Sequence, residues 1–261
     1  MRFTMVAPCF AAAARFVKHA APAARRRAHC AEARGGLLHR PMTMNLDDPA
    51  EYKRAMRGLM WGDHGVLRLR FSNMHRVGGE MWRGNQPSPA RLKLLRDQGF
   101  KTILNLRGTQ PGRHYYDLEH HACKALGLDI VDLPWGSREA PFVERIEQLI
   151  KVFETIEYPA YMHCKSGADR AGIVAVLYKL LHEKAPFEEA IEQLSLKYGH
   201  IKQGKTGMLD HFFELYRRRN EESSIDFLEW VRTEYDREAC RDGFMASWWG
   251  SALTEKVLRR E

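Results

Sequence analysis

The chain has 261 residues, 44% hydrophobic and 28% charged, enough for one globular domain with extensions and a sizeable core. Its net charge of +8 points at first to a nucleic-acid surface, but residues 1–41 hold eight Lys/Arg and one acid, while the remainder holds 33 basic and 32 acidic residues. A balanced body excludes nucleic acid as a partner on charge grounds, and no apolar run is long enough to span a membrane.

The first 41 residues are rich in Ala and Arg and poor in acids, and ordinary composition begins at Met42 and Met44. They are expected to be disordered or to precede the true start, with a transit or signal peptide as the alternatives. The expected organisation is a basic leader over 1–41, a catalytic domain over 42–220 and a helical C-terminal extension over 221–261 packed on it. Five cysteines (Cys9, Cys30, Cys123, Cys164 and Cys240) form no CxxC pair. They read as reduced thiols in a cytoplasmic setting.

Residues 48–60 read as helix, and HRVGGEMWRGNQ (75–86) reads as a hairpin turned at its glycines. Ser88 caps a helix beginning at Pro89, with Leu92, Leu94 and Leu95 on its inner side. KTILNLRG gives a buried strand, 114–126 a helix stopped by Gly127, and 129–135 another strand. Helical periodicity returns over 142–156, Tyr158-Pro159 breaks it, and AYMHC is a short strand. Helices are expected from Arg170 onward, then over 187–198, 207–219 and 223–238. Strands alternating with helices imply an α/β fold, a central and largely parallel sheet flanked by helices.

The informative segment is His163-Cys164-Lys165-Ser166-Gly167-Ala168-Asp169-Arg170. A buried strand ends at His163 and a long helix opens six residues later. The intervening loop therefore lies where free N–H groups of a helix N-terminus point outward, a ready anion site. Lys165, Ser166, Gly167 and Ala168 would line a phosphate there, the two small residues allowing close backbone approach. A thiol in such a positive field ionises readily, so Cys164 is the expected nucleophile toward phosphorus. Arg170 offers a planar fork to two phosphate oxygens, and His163 would orient the loop.

Two other patterns carry less. Cys9 to Arg15 repeats the C-x5-R spacing, with no strand before it and no glycine inside it. Gly199 to Thr206 (GHIKQGKT) matches a nucleotide phosphate loop letter for letter, but amphipathic helix precedes it where that loop needs a buried strand. His120, His121 and Cys123 lack a second ligand cluster, so no metal and no cofactor are expected.

HCKSGADRAG resembles the signature loop of the cysteine-based protein tyrosine and dual-specificity phosphatases. MWRGNQPSP followed by KTILNLRG is similar to the opening of their compact atypical members, and LPWGSREAPFVERI to the loop and helix before the signature. The likeness covers about 81–216. It implies the cysteine-phosphatase fold, a phosphocysteine intermediate and no metal.

Two departures stand out. The family's usual Ser or Thr after the signature Arg is Ala171 here. Its usual acidic Asp, on the loop after the preceding strand, is missing from GSREAP, which has only Glu139. Asp169, at a position where some bacterial members carry an Asp of proposed acid function, ranks first as general acid, Glu139 second and Asp132 third. The expected substrate is a phosphorylated protein. The alternatives are an inositol phosphate or phosphoinositide, a phosphate-binding module without turnover, and a sulfurtransferase. Oligomeric state stays open.

Overall fold

The computed structural model describes residues 43–258, so the expectations for the 1–41 leader, Cys9 to Arg15 included, lie outside the described residues. Five strands form one sheet in the order β1-β2-β5-β3-β4. They are β1 (His75–Gly78), β2 (Met81–Asn85), β3 (Thr102–Asn105), β4 (Asp129–Asp132) and β5 (Ala160–Cys164). Only β1 runs antiparallel, paired to β2 with a bulge between Arg76 and Gly78. β5 is flanked by parallel partners on both sides. All five of its residues are buried, as expected of a strand covered on both faces.

Helices close both faces. Ahead of the sheet come α1 (Pro49–Arg57), a π-type turn (Gly58–Gly62) and α2 (Gly65–Arg70). Asp48 caps α1 by accepting from the Ala50 N–H. The connections between strands carry α3 (Pro89–Asp97), α4 (His114–Leu126) and α5 (Val143–Thr155). Ser88 Oγ caps α3 as the sequence indicates, and Gly127 ends α4 in the left-handed region at φ 64°. Leu92 and Leu95 are buried, but Leu94 is exposed. Three leucines within four residues subtend more than one helix face, so one of them must turn outward.

Past β5 come α6 (Asp169–Leu177), α7 (Phe187–Ile191), α8 (Met208–Glu222), α9 (Phe227–Thr233) and α10 (Arg237–Leu258). The helix expected over 187–198 stops at Ile191, and a 3-10 turn, Leu196–Tyr198, ends at Gly199 with φ 81°. The helix expected over 223–238 is two helices. Asp226 caps α9, and Asp236 restarts the chain by accepting from the N–H groups of Glu238 and Ala239. Phe227, Trp230, Val231 and Cys240 belong to the same apolar core as β5 and α6, and Tyr235 Oη donates to the Pro141 carbonyl. These buried residues of α9 and α10 thus extend the core that β5 and α6 form.

Candidate active site

Cys164 ends β5 at the level of Asn85, and the loop 164–170 climbs from there to the N-terminus of α6. Cys164 is 3% exposed. The Gly167 N–H donates to its Sγ at 3.2 Å, so a loop amide already faces the sulfur. Gly167 has φ 79°, and a Cβ on it would lie 2.6 Å from the Gly84 carbonyl carbon. Only glycine fits the loop against β2. Arg170 is half-buried in the first turn of α6, and its guanidinium makes no hydrogen bond or ion pair among the described residues. Its fork is therefore uncommitted.

Arg83 supports the loop from inside the protein. It is fully buried on β2. Its Nη2 donates to the carbonyls of Gly167 (2.8 Å) and Ala168 (2.9 Å), and its Nη1 to the Gln193 carbonyl at 2.6 Å. The guanidinium also lies 4.3 Å from the centroid of the Tyr198 ring. Burial pulls its pKa down to about 10, opposed by Cys164, Tyr198 and Asp169, and it stays charged at neutral pH. By tying down carbonyls it leaves the loop amides to face the other way. Asn73 steadies the rim by donating from Nδ2 to the carbonyls of Ser166 and Tyr198.

His163 is fully buried, with Nε2 2.7 Å from Glu119 Oε1. Glu119 Oε2 accepts from Gln86 Nε2, whose side-chain oxygen accepts from Arg107. Arg107 grips Asp63 with both Nη groups, at 2.8 and 3.0 Å. Arg68 adds a third bond to that carboxylate, and Lys165 Nζ lies 3.6 Å from it. Burial alone would raise the Asp63 pKa; bonds and charge from Arg107 and Arg68 reverse this and hold it below the usual carboxylate range. A chain of polar contacts thus runs from the strand under Cys164 to Lys165 beside it.

The three acid candidates have separate surroundings. Asp169 Oδ1 lies 2.8 Å from His200 Nδ1, and His200 Nε2 lies 2.7 Å from Asp210 Oδ2 on α8. Burial would lower the His200 pKa, but its two carboxylate partners raise it to about 9. Asp132 sits on the edge strand β4, level with Asn105. Its oxygens accept from Asn105 Nδ2, Tyr116 Oη and Thr109 Oγ1, and contact His120 Nε2. Burial would raise its pKa, yet those bonds hold it below the usual value. Glu139 lies on the loop after β4, half-exposed, 3.6 Å from Arg237. Among the described residues, neither Asp132 nor Glu139 bonds to the loop 164–170.

Burial pushes the other described thiols up, Cys240 to about 11 and Cys123 further. His120 and His121 diverge, the first to Asp132 and the second against the Tyr52 ring. Among the described residues no strand leads into Gly199–Thr206, and the stretch meets the site through Gly199, beside Ala168, and His200, on Asp169. Sequence reasoning missed Arg83, Asp63 and His200. Only Arg83 left a signal, since strand alternation sets it on the same face as buried Met81.

A largely parallel sheet whose central strand delivers a cysteine into a glycine-turned loop, with an arginine opening the next helix, is the arrangement of a cysteine-phosphatase fold. The chain belongs to the family described as DSP-PTPase phosphatase fused to NAD+ kinase, whose model matches residues 72–208. That family places it among the dual-specificity phosphatases, which are phosphoric monoester hydrolases. Two curated chloroplastic proteins are similar over 100 residues: a probable NAD kinase 2 of Oryza sativa subsp. japonica at 30% identity and NAD kinase 2 of Arabidopsis thaliana at 31%. Each match covers 38% of this chain and 10% of the relative, so the chain spans about a tenth of their length. The crystal structure of TpbA from P. aeruginosa is similar at 15% identity and a TM-score of 0.46, over 66% of this chain and 89% of that one.

Proposed function

We propose that the chain hydrolyses phosphomonoesters through a phosphocysteine intermediate, with Cys164 as nucleophile and Arg170 as the clamp on the transferring phosphoryl group. The observation that carries this reading is the Gly167 N–H on Cys164 Sγ at 3.2 Å. That contact turns a loop N–H toward the nucleophilic sulfur, and the same cradle of amides can hold phosphate oxygens. Attack forms the S–P bond and expels the alcohol; water then cleaves that bond and the sulfur leaves as thiolate. Arg170 presents two donors to equatorial oxygens, where charge is spread in the transition state. Lys165, Ser166, Gly167 and Ala168 supply the remaining lining, and His163, seated on Glu119, holds the base of the loop.

Asp169 is the proposed general acid. It lies on the loop itself, and its Oδ2 has no bond among the described residues. Asp132 is committed to several donors and reads as structural; Glu139 is the second candidate. The site accepts a phosphorylated protein side chain. An inositol phosphate or phosphoinositide is favoured as a second substrate class by Lys165, 47% exposed beside Cys164 and offset by a carboxylate that Arg68 and Arg107 already neutralise. The test is phosphate release by wild type and by Cys164→Ser. Loss of turnover with phosphate binding retained supports the mechanism. Equal rates contradict it, and binding without turnover by wild type identifies a phosphate-binding module.

A further inference from the structure

Eight large apolar side chains stand exposed among the described residues. Trp61, Val66, Leu67 and Phe71 occupy the stretch from the π-type turn through α2, and Leu196 and Ile201 flank Tyr198 on the turn after α7. Both strips border the loop 164–170. The first is fixed to it at both ends, by Asp63 and His64 against Lys165 and by Asn73 on the Ser166 carbonyl. The second is fixed by Asn73 on the Tyr198 carbonyl and by His200 on Asp169. Between them lies an open cleft of about 620 Å³, lined by Arg70 and Phe71 on one wall, Lys197 and Tyr198 on the other, and Ser166, Ala168 and the acidic Asp169 of the loop.

Cations outnumber acids on these strips. Residues 57–75 and 195–203 together contain Arg57, Arg68, Arg70, Lys197 and Lys202, against the single acid Asp63. That acid is buried under Arg68 and Arg107, and Lys202 Nζ lies 3.3 Å from Asp210, which leaves Arg57, Arg70 and Lys197 as the exposed cations with no acid partner among the described residues. Leu67 and Phe71 are one turn apart and share a helix face. Exposed Trp, Leu and Phe interleaved with Arg and Lys have the composition of a surface that lies on an anionic lipid interface, the apolar groups entering the headgroup boundary and the cations meeting lipid phosphates. An acidic protein partner would meet the cations but leave Trp61, Leu67 and Leu196 without a complement.

We infer that the two strips dock the catalytic face on an anionic membrane surface, so that the loop receives the phosphomonoester headgroup of a lipid. This rests on the proposed phosphatase reading and narrows its substrate to a membrane-borne one.

The test uses the full chain with phosphatidylcholine vesicles, with and without phosphatidylserine. It compares wild type with Leu67→Ser/Leu196→Ser, two exposed positions outside the cleft lining. Serine leaves the net charge unchanged, so a loss reports apolar insertion and separates it from attraction of the basic 1–41 stretch to the vesicles. Wild type is expected to sediment with the anionic vesicles and the double variant about tenfold less, with equal rates on a soluble aryl phosphate. A phosphatidylinositol monophosphate carried in those vesicles should be hydrolysed faster than the free inositol phosphate by wild type, and the variant should lose that advantage. Sedimentation that survives both substitutions, or equal rates on vesicle-borne and free headgroup, overturns the inference. Failure of the phosphatase reading itself would show separately, as absent aryl phosphate turnover. Should the double variant fold poorly, Leu196→Ser alone, at a position 76% exposed on a 3-10 turn, gives the same comparison.

Discussion

His200 Nδ1 lies 2.8 Å from Asp169 Oδ1, and this contact ties the signature loop to α8, because the other ring nitrogen meets Asp210 at 2.7 Å. A ring with a carboxylate on each nitrogen is satisfied only when both nitrogens carry protons. The imidazolium is therefore part of the fold, holding the loop at its last turn before Arg170.

A pH dependence follows. The folded-state pKa of His200 is raised to about 9, above the ordinary histidine value. Its stabilising contribution is fully present below the unfolded value near 6.5 and is lost as pH rises through about 9. The melting temperature of wild type should fall across that window, while His200→Asn should be less stable at pH 6 by about 1–3 kcal/mol and show a flatter profile of melting temperature. Thermal unfolding at pH 6, 7.5 and 9.5, values bracketing those two pKa values, checks this; parallel profiles for the two proteins would contradict it.

If Asp169 is the general acid, Asp169→Asn should slow turnover of alkyl phosphates about a hundredfold more than that of activated aryl phosphates. A good leaving group departs without a proton. The alkaline limb of the pH–rate profile should disappear with it. His200→Asn separates this from a loop-anchoring role, because it breaks the anchor and keeps the carboxyl. Should His200→Asn reproduce the leaving-group pattern, Asp169 acts as an anchor; should Glu139→Gln produce it instead, the acid is Glu139.

The strand-to-loop-to-helix course of 160–177 was legible because AYMHC is short and apolar and the glycine-containing loop leads straight into an apolar helix. The same local logic placed the caps at Ser88 and Gly127. It failed where distant residues decide. Nothing near Leu94 says which of three leucines turns outward. The helix after Pro186 stops early, in a stretch that brings Tyr198 under Arg83 and His200 onto Asp169. Arg83 and Asp63 are charged residues that their own neighbours would leave in water; partners 110 and 44 residues away keep them buried.

The buried guanidinium of Arg83 gives a sharper test of the loop's support. Arg83→Met removes donors to the Gly167, Ala168 and Gln193 carbonyls and should cost about 1–3 kcal/mol for each carbonyl left without a partner, together with most of the activity. Gly167→Ala attacks the same contact from the other side. A Cβ 2.6 Å from the Gly84 backbone must push the loop off β2, at a cost of at least about 1–3 kcal/mol. Chemical denaturation measures both; wild-type midpoints would show that the loop does not lean on β2.

Ala171 is fully buried one residue past Arg170. With no hydroxyl there to assist the departing sulfur, breakdown of the phosphocysteine should be the slower step. A burst of aryl alcohol followed by a slower steady rate is expected, and Ala171→Ser should raise the steady rate. A linear time course that Ala171→Ser leaves unchanged would contradict the slow second step and leave the phosphatase assignment standing.

In the proposed mechanism the phosphoryl group passes through Cys164. The most direct measurement is rapid acid quench of wild type during turnover of an aryl phosphate, followed by mass spectrometry of the peptide containing residues 160–170. One added phosphoryl group is expected on Cys164, formed and consumed on the timescale of turnover, and none in Cys164→Ser, whose rate should fall about a thousandfold or more. Turnover with no adduct at Cys164, and a Cys164→Ser protein that keeps pace with wild type, would contradict it.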